Sequence, residues 1–320
     1  MNNIKMKAVT RKKYGPPEVL QLSEVEMPKP KDNELLINIK ATAVTNSDIF
    51  IRGSKLSFPI IVPFRLMMGL FKPRKEIIGL VFSGIVKDIG SKIKRFTPGD
   101  EVYGMTGFNL GAYAEYTCVK EIDSTTGCVS IKAKNISFEE ATSAVYGGAL
   151  ALQYMDLGNI QQNQHVLVYG ASGTSGTIAV QYAKYLGANV TGVCSGKNID
   201  FVKSLGADDV IDYTTTDTLK AGTKIDFLLD CAGHGPDGKK RISRLKEECE
   251  KSLVKNGKIV SIDDGALKLD SKRLDFLTKL IEEGKIRPII DKTYPLKKIV
   301  EAHKYVEDGH KKGGVAIKVC

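Results

Sequence analysis

The chain has no closely spaced cysteine pair. Its six cysteines, Cys118, Cys128, Cys194, Cys231, Cys249 and Cys320, are scattered with no C-x-x-C among them, which argues against a zinc knuckle or a disulfide framework and implies reduced thiols. Histidine is scarcer still. Of the four, His165 opens a strand pattern, His303 lies in a helical tail segment and His310 follows Gly309 in a turn. Only His234, just after Cys231-Ala232-Gly233, could approach a ligand, and none is nominated as a general acid. No apolar run reaches the ~20 residues of a membrane span. The longest apolar region, residues 58–71, is broken by Pro59, Pro63, Arg65 and Gly69, and the first residues lack a signal-peptide pattern. A cytoplasmic protein with no membrane partner is therefore expected. Acidic residues are also short, with 37 Asp and Glu against 47 Lys and Arg and a net charge of +10. The lysines are dispersed and not interleaved with aromatics, so nucleic acid is not the expected partner.

What is present is a globular composition, 42% hydrophobic and 26% charged over 320 residues. That length exceeds one ordinary core, so two are expected. Up to about residue 116 short alternating strands, such as 35–39, 80–86 and 101–103, are separated by Gly, Pro and Asp turns, which predicts a β-rich domain. From residue 165 strands and helices alternate: strand 165–169, helix 177–186, strand 189–194, helix 199–205, strands 209–211 and 227–229, helix 241–253, strand 258–262. Repeated β-α-β units predict a doubly wound α/β domain with a parallel sheet. A helix over 271–283, an extended stretch over 287–291, a helix over 299–306 and a strand over 314–319 complete the chain.

The strongest motif is Val166-Leu167-Val168-Tyr169 running into Gly170-Ala171-Ser172-Gly173-Thr174-Ser175-Gly176 and then an apolar helix. Small residues allow a pyrophosphate to approach the backbone, and a helix N-terminus offers it unpaired N–H groups. Ala171 replaces the first glycine of G-x-G-x-x-G after Gly170, but the strand before and helix after support a dinucleotide site. The second strand ends at Val193-Cys194-Ser195-Gly196-Lys197, where an NAD site usually carries a carboxylate for the ribose 2′-OH. Its absence, with Ser195 and Lys197 in its place, favours a 2′-phosphate and hence NADPH.

These pieces together resemble the zinc-independent medium-chain dehydrogenases/reductases, in particular the quinone and enone reductases. Further matches are Gly99-Asp100-Glu101-Val102, Gly111-Ala112-Tyr113-Ala114-Glu115-Tyr116, the segment 204–213, Asp230-Cys231-Ala232-Gly233 and the tail with Ala302-His303-Lys304-Tyr305. The resemblance implies a GroES-like catalytic domain over 1–125, a Rossmann NADP-binding domain over 126–270 and a return to the catalytic domain over 271–320. It also implies that residues 171–176 hold the pyrophosphate, and that Ser195, Lys197 and Tyr213 surround the 2′-phosphate. Leu150, Cys231, Ala232, Gly233 and Ile262 would flank the ribose and nicotinamide. Zinc alcohol dehydrogenases of the superfamily place their ligands where this chain has Thr45, Leu80 and, nearby, Tyr146, so no metal site is expected. Thr45, Asn46, Phe50 and Arg52 are candidate substrate-cleft residues. Their alternatives are turn hydrogen bonding for Thr45 and Asn46, core for Phe50 and an ion pair for Arg52.

The activity implied is hydride transfer from NADPH to a quinone or an α,β-unsaturated carbonyl, acceptors that need no Lewis acid. An enoyl-thioester reductase and a non-catalytic NADPH-sensing or RNA-binding relative are the alternatives. The segment after the fifth Rossmann strand is shorter than the resemblance implies, since Asp263-Asp264-Gly265 leads quickly to the helix at 271. That leaves a monomer or an altered homodimer as the expected assembly.

Overall fold

The computed structural model describes residues 4–53, 61–233 and 243–319. The chain begins with a two-stranded hairpin, β1 (Lys5–Thr10) against β2 (Gln21–Glu26). It continues through β3 (Glu34–Ala43), helices α1 (Asn46–Gly53) and α2 (Ile61–Met68), and strands β4 (Val81–Ile89), β5 (Glu101–Met105), β6 (Tyr116–Lys120) and β7 (Cys128–Ile131). The ten residues of β3 organise the catalytic sheet. One edge pairs with β4 along most of its length, with register shifts at Leu36/Ile37 and Ile39/Ala41. The opposite edge pairs with β6 through Glu34–Asn38 and then takes a different partner at Ala41–Ala43. A strand long enough to bend at two bulges can serve two neighbours in this way.

The second sheet carries β8 (His165–Tyr169), β9 (Asn189–Cys194), β10 (Asp209–Asp212), β11 (Ile225–Asp230) and β12 (Leu253–Ser261) in the order β10-β9-β8-β11-β12, all parallel. Val166, Leu167 and Val168 are buried in succession, which requires both faces of the central strand to be covered. The covering helices include α4 (Ala149–Asp156), α5 (Thr174–Tyr185), α6 (Ile199–Ser204) and α7 (Arg244–Lys251), whereas α3 (Phe138–Ser143) packs on β3, β4 and the later strand Gly314–Lys318 of the first sheet and α8 (Ser271–Glu282) on β7. Ser137 begins α3 with a full capping box to Glu140. The chain then returns to the first sheet through β13 (Ile290–Pro295), α9 (Ile299–Glu307) and β14 (Gly314–Lys318), with β14 inserted between β13 and β3.

The α/β class and the order of elements follow the sequence-based expectation, with local differences. Helix α5 starts at Thr174, three residues earlier than expected, because its first turn is made of small polar residues that carry no apolar signal. The helix expected over 241–253 is confined, among the described residues, to Arg244–Lys251, and β12 begins at Leu253. Lys255, Asn256 and Lys258 are exposed on this edge strand, so the segment reads as polar although it pairs with β11 across a register shift. The boundary expected at 125/126 falls inside the catalytic sheet, because β7 pairs with β5 from Val102↔Ile131 to Met105↔Cys128. Among the described residues no helix is long and apolar enough to cross a membrane.

Candidate active site

The order of the parallel strands reverses between β8 and β11, and a crevice opens beyond their C-terminal ends, where such sheets bind ligands. It deepens into a cavity of about 1340 Å³ between the two sheets. Ser172, Gly173, Thr174 and Ser175 form one wall, Ser195 and Tyr213 lie at one end, and Cys231, Ala232, Gly233, Ile262 and Leu150 line the middle. Thr45, Asn46 and Phe50 close the catalytic-domain side. Of the remaining candidates, Ala171 is fully buried behind the loop, Lys197 is exposed beside the Ser195 end, and Gly176 is buried. His234 lies outside the described residues.

The phosphate loop suits a pyrophosphate for reasons visible in its backbone. Gly170 has φ +80°, a left-handed turn that favours glycine. Gly173 is the N-cap of α5 and supplies no capping side chain, so the first N–H groups of the helix are left for an anion. A Cβ on Gly173 would meet only Gly170 O, at 3.4 Å, whereas one on Gly176 would lie 2.2 Å from Gly170 O and 2.8 Å from Ala171 Cα. Gly176 therefore lets the helix press on the turn, and Gly173 leaves the space in front of it open. Asn198 joins the loops after β8 and β9, donating from Nδ2 to Ser172 Oγ at 3.1 Å and Ser195 Oγ at 3.2 Å.

The tail completes this wall. Gly313 N–H donates to Ser172 O at 2.9 Å, Thr174 Oγ1 donates to Gly313 O at 2.8 Å, and Gly173 and Gly313 form a parallel bridge. Lys311 Nζ donates to Thr174 Oγ1 and to Gly313 O, the latter at 3.0 Å. Among the described residues Lys311 forms no ion pair, and burial lowers its ammonium to about 8 although Asp291 opposes the shift. A cation without a carboxylate partner, on the cavity wall beside a helix N-terminus, suits the pyrophosphate of a dinucleotide. Sequence reasoning missed both Lys311 and Asn198. Asn198 directly follows Lys197 in sequence, but both it and Lys311 reach the phosphate loop only through the fold.

The loop 231–233 is held from below. Asp230 Oδ1 accepts from Ala232 N–H at 3.0 Å and Gly233 N–H at 3.3 Å, while Oδ2 pairs with buried Lys246. The Cys231 thiol is pushed up by burial and then by Asp230, so it is not a thiolate.

On the catalytic side Thr45 donates from N and Oγ1 to Asp48 Oδ2 at 2.9 and 2.7 Å. Burial raises the Asp48 carboxyl to about 6 against these bonds. Tyr146 lies in a π-helical turn, Ala144–Gly148, between α3 and α4, and its hydroxyl is 2.9 Å from Ser47 Oγ. Desolvation first of all pushes the Tyr146 phenol up to about 12, which keeps it a donor. Thr45, Leu80 and Tyr146, at or near the positions where the resemblance implies metal ligands in the zinc enzymes, share the cavity wall and offer it two hydroxyls and a leucine. Among the described residues no group of three His, Cys, Asp or Glu side chains could hold a metal.

Arg52 corrects one expectation. It is fully buried but absent from the cavity wall, donating to Gly15 O, His303 Nδ1 and Glu307, with which it forms an ion pair. Arginine can only donate, so His303 accepts at Nδ1 and presents Nε2–H to Tyr113 Oη at 3.1 Å. Burial and then Arg52 hold His303 well below its ordinary value, so the ring is neutral. The network ties α1 to α9, and Arg52, His303, Glu307 and Tyr113 do not line the cavity.

Comparison with known proteins gives the family. Residues 31–131 match the alcohol dehydrogenase GroES-like domain, and residues 205–317 match a family described as zinc-binding dehydrogenase. The chain is 31% identical to a 2-methylene-furan-3-one reductase of Solanum lycopersicum, over 98% of this chain and 79% of that protein. It is 30% identical to a chloroplast envelope quinone oxidoreductase homolog of Arabidopsis thaliana, over 93% of this chain and 94% of that one. A solved quinone oxidoreductase from Coxiella burnetii superposes with a TM-score of 0.84 at 28% identity, covering 99% of this chain and 100% of that one. The chain therefore belongs to the medium-chain dehydrogenase/reductase superfamily, among its quinone and enone oxidoreductases.

Proposed function

We propose that the protein reduces quinones or α,β-unsaturated carbonyl compounds with NADPH and without a metal. The observation that carries the reading is the hydroxyl pair Ser47–Tyr146 on a cavity wall that also presents Leu80, Phe50 and Leu150 beside Thr45 and Asn46. When bound, the cofactor supplies hydride from C4 of its nicotinamide. The uncapped α5 N-terminus and Lys311 would hold the pyrophosphate, and the loop fixed by Asp230 would flank the nicotinamide. Tyr146 O–H donates to the acceptor's oxygen as negative charge grows there, a task that needs a phenol still protonated at neutral pH.

A panel of soluble quinones and enones, followed by NADPH absorbance in the presence of a strong chelator, tests this. Turnover should persist with chelator. Tyr146→Phe should lower kcat by roughly 10–100-fold, with the NADPH dissociation constant unchanged. Loss of activity on chelation that added zinc restores would sink the metal-free reading. A Tyr146→Phe enzyme as fast as the parent would remove the donor.

Cofactor choice rests on Ser195, Lys197 and Tyr213 grouped where no carboxylate follows β9. Lys197 is exposed, so its contact to a 2′-phosphate is partly screened. Lys197→Ala should weaken NADPH roughly tenfold and leave NADH unchanged. Equal losses for the two cofactors in a fluorescence titration would reassign Lys197 to the solvated surface.

A further inference from the structure

Helix α2 is apolar on more than one side. Phe64 and Met68, four residues apart, line the cavity, and Met67 lines it while remaining exposed. Val62 and Leu66, also four apart, lie open to solvent, and the turn beyond adds Leu70 and Phe71, the last 90% exposed. Single exposed apolar residues are ordinary, but a run of them at the mouth of a substrate cavity is not.

The surroundings are strongly cationic. Tyr14 Oη donates to Gly69 O at 2.9 Å and Arg11 N–H to Glu76 O at 2.9 Å, which brings the segment 11–14 beside the turn after α2. Lys12, Lys13, Lys72, Arg74 and Lys75 are all exposed there, and none forms an ion pair among the described residues. Between residues 61 and 76 the only acidic residue is Glu76. Large exposed apolar side chains ringed by unpaired cations are the chemistry of a surface that settles into an anionic bilayer, with apolar groups below the headgroups and ammonium groups among the phosphates. Sequence analysis expected no membrane partner from the lack of a spanning segment, but such a surface needs none.

We propose that α2 and the Leu70–Phe71 turn dock the protein on an anionic lipid surface and open its cavity toward the lipid phase. The acceptor is then a quinone or enone carrying a lipid tail. This substrate half rests on the reductase reading, whereas the docking half does not. Phe64, Met67 and Met68 form the apolar path from the lipid surface to the wall where Tyr146 sits.

The experiment floats the full chain with vesicles of phosphatidylcholine alone or with about 30% phosphatidylglycerol. Most of the protein should float with the anionic vesicles and little with the neutral ones, and raised salt should release part of it. Leu66→Gln with Phe71→Gln, and Lys72→Glu with Arg74→Glu and Lys75→Glu, should each lower binding at least tenfold. Neither set lines the cavity, so turnover of a soluble quinone should be retained, while reduction of a long-chain quinone embedded in anionic vesicles should fall with binding. Thermal melts establish that the exposed substitutions leave the fold intact. Failure of the parent to float, or variants that float like it, would overturn the docking. A change of oligomeric state in the Leu66/Phe71 variant would assign the face to a second copy of this chain and equally overturn it. Vesicle binding without turnover of any soluble quinone or enone would leave the docking standing and overturn the reductase reading.

Discussion

Gly173→Val is expected to abolish measurable cofactor binding and to leave the fold intact. Gly173 has φ −78° and ψ 175°, extended backbone open to any residue, and a Cβ there meets nothing closer than 3.4 Å. The added methyl groups enter the space before the α5 N-terminus, where the pyrophosphate must sit to reach the N–H groups. The dissociation constant for NADPH should rise at least about 100-fold, while the melting temperature moves by only a few degrees. Gly176→Val separates the two roles of the loop. Its Cβ would lie 2.2 Å from Gly170 O, so the helix must move off the turn and the protein should melt far below the parent or fail to fold. Titration of cofactor fluorescence beside thermal melts reads both. Undiminished NADPH binding by Gly173→Val would reduce the loop to a turn.

Arg52→Leu should destabilise the protein without altering substrate recognition. The guanidinium is fully buried, and its loss leaves Glu307 without its cation and His303 Nδ1 without its donor. Removing one partner of such a pair costs about 3–5 kcal/mol, a large share of the 5–15 kcal/mol that holds a typical domain together. The melting temperature should fall by about 10 °C, and the molecules that remain folded should keep their KM for the acceptor. A variant as stable as the parent but with a raised KM would return Arg52 to the substrate site.

The correction at Arg52 was legible in the sequence, once the stretch is read as a helix. Asn46 and Phe50 are four residues apart and both line the cavity, while Asp48 and Arg52, also four apart, are buried on another side of α1. Taking the four candidates as one lining set ignored the helical period. The parallel sheet and phosphate loop were readable because their signals are local, a buried apolar run followed by small residues. Lys311 and Tyr146 were not assigned roles, since their place at the site depends on segments far apart in the chain: Lys311 meets Thr174 across 137 positions and Tyr146 meets Ser47 across 99. No periodicity reports such a meeting. Edge strand β12 was misjudged at its start because exposed lysines and a glycine there look like a turn until the neighbouring strand is in place.

The place of β14 bears on how the molecule is made. Ala316 pairs with Ala43, so the central strand of the first domain finds its partner about 270 residues later in synthesis. Until residues 313–318 have emerged from the ribosome, β3 has an open edge at Ala41–Ala43, and the phosphate loop lacks the Gly313 contacts that brace it. The parallel sheet, drawn from a contiguous stretch, can assemble while the chain is still being threaded out. The first domain to emerge is the last to be finished, and a nascent chain arrested before Gly314 exposes a strand edge on which another chain can stack.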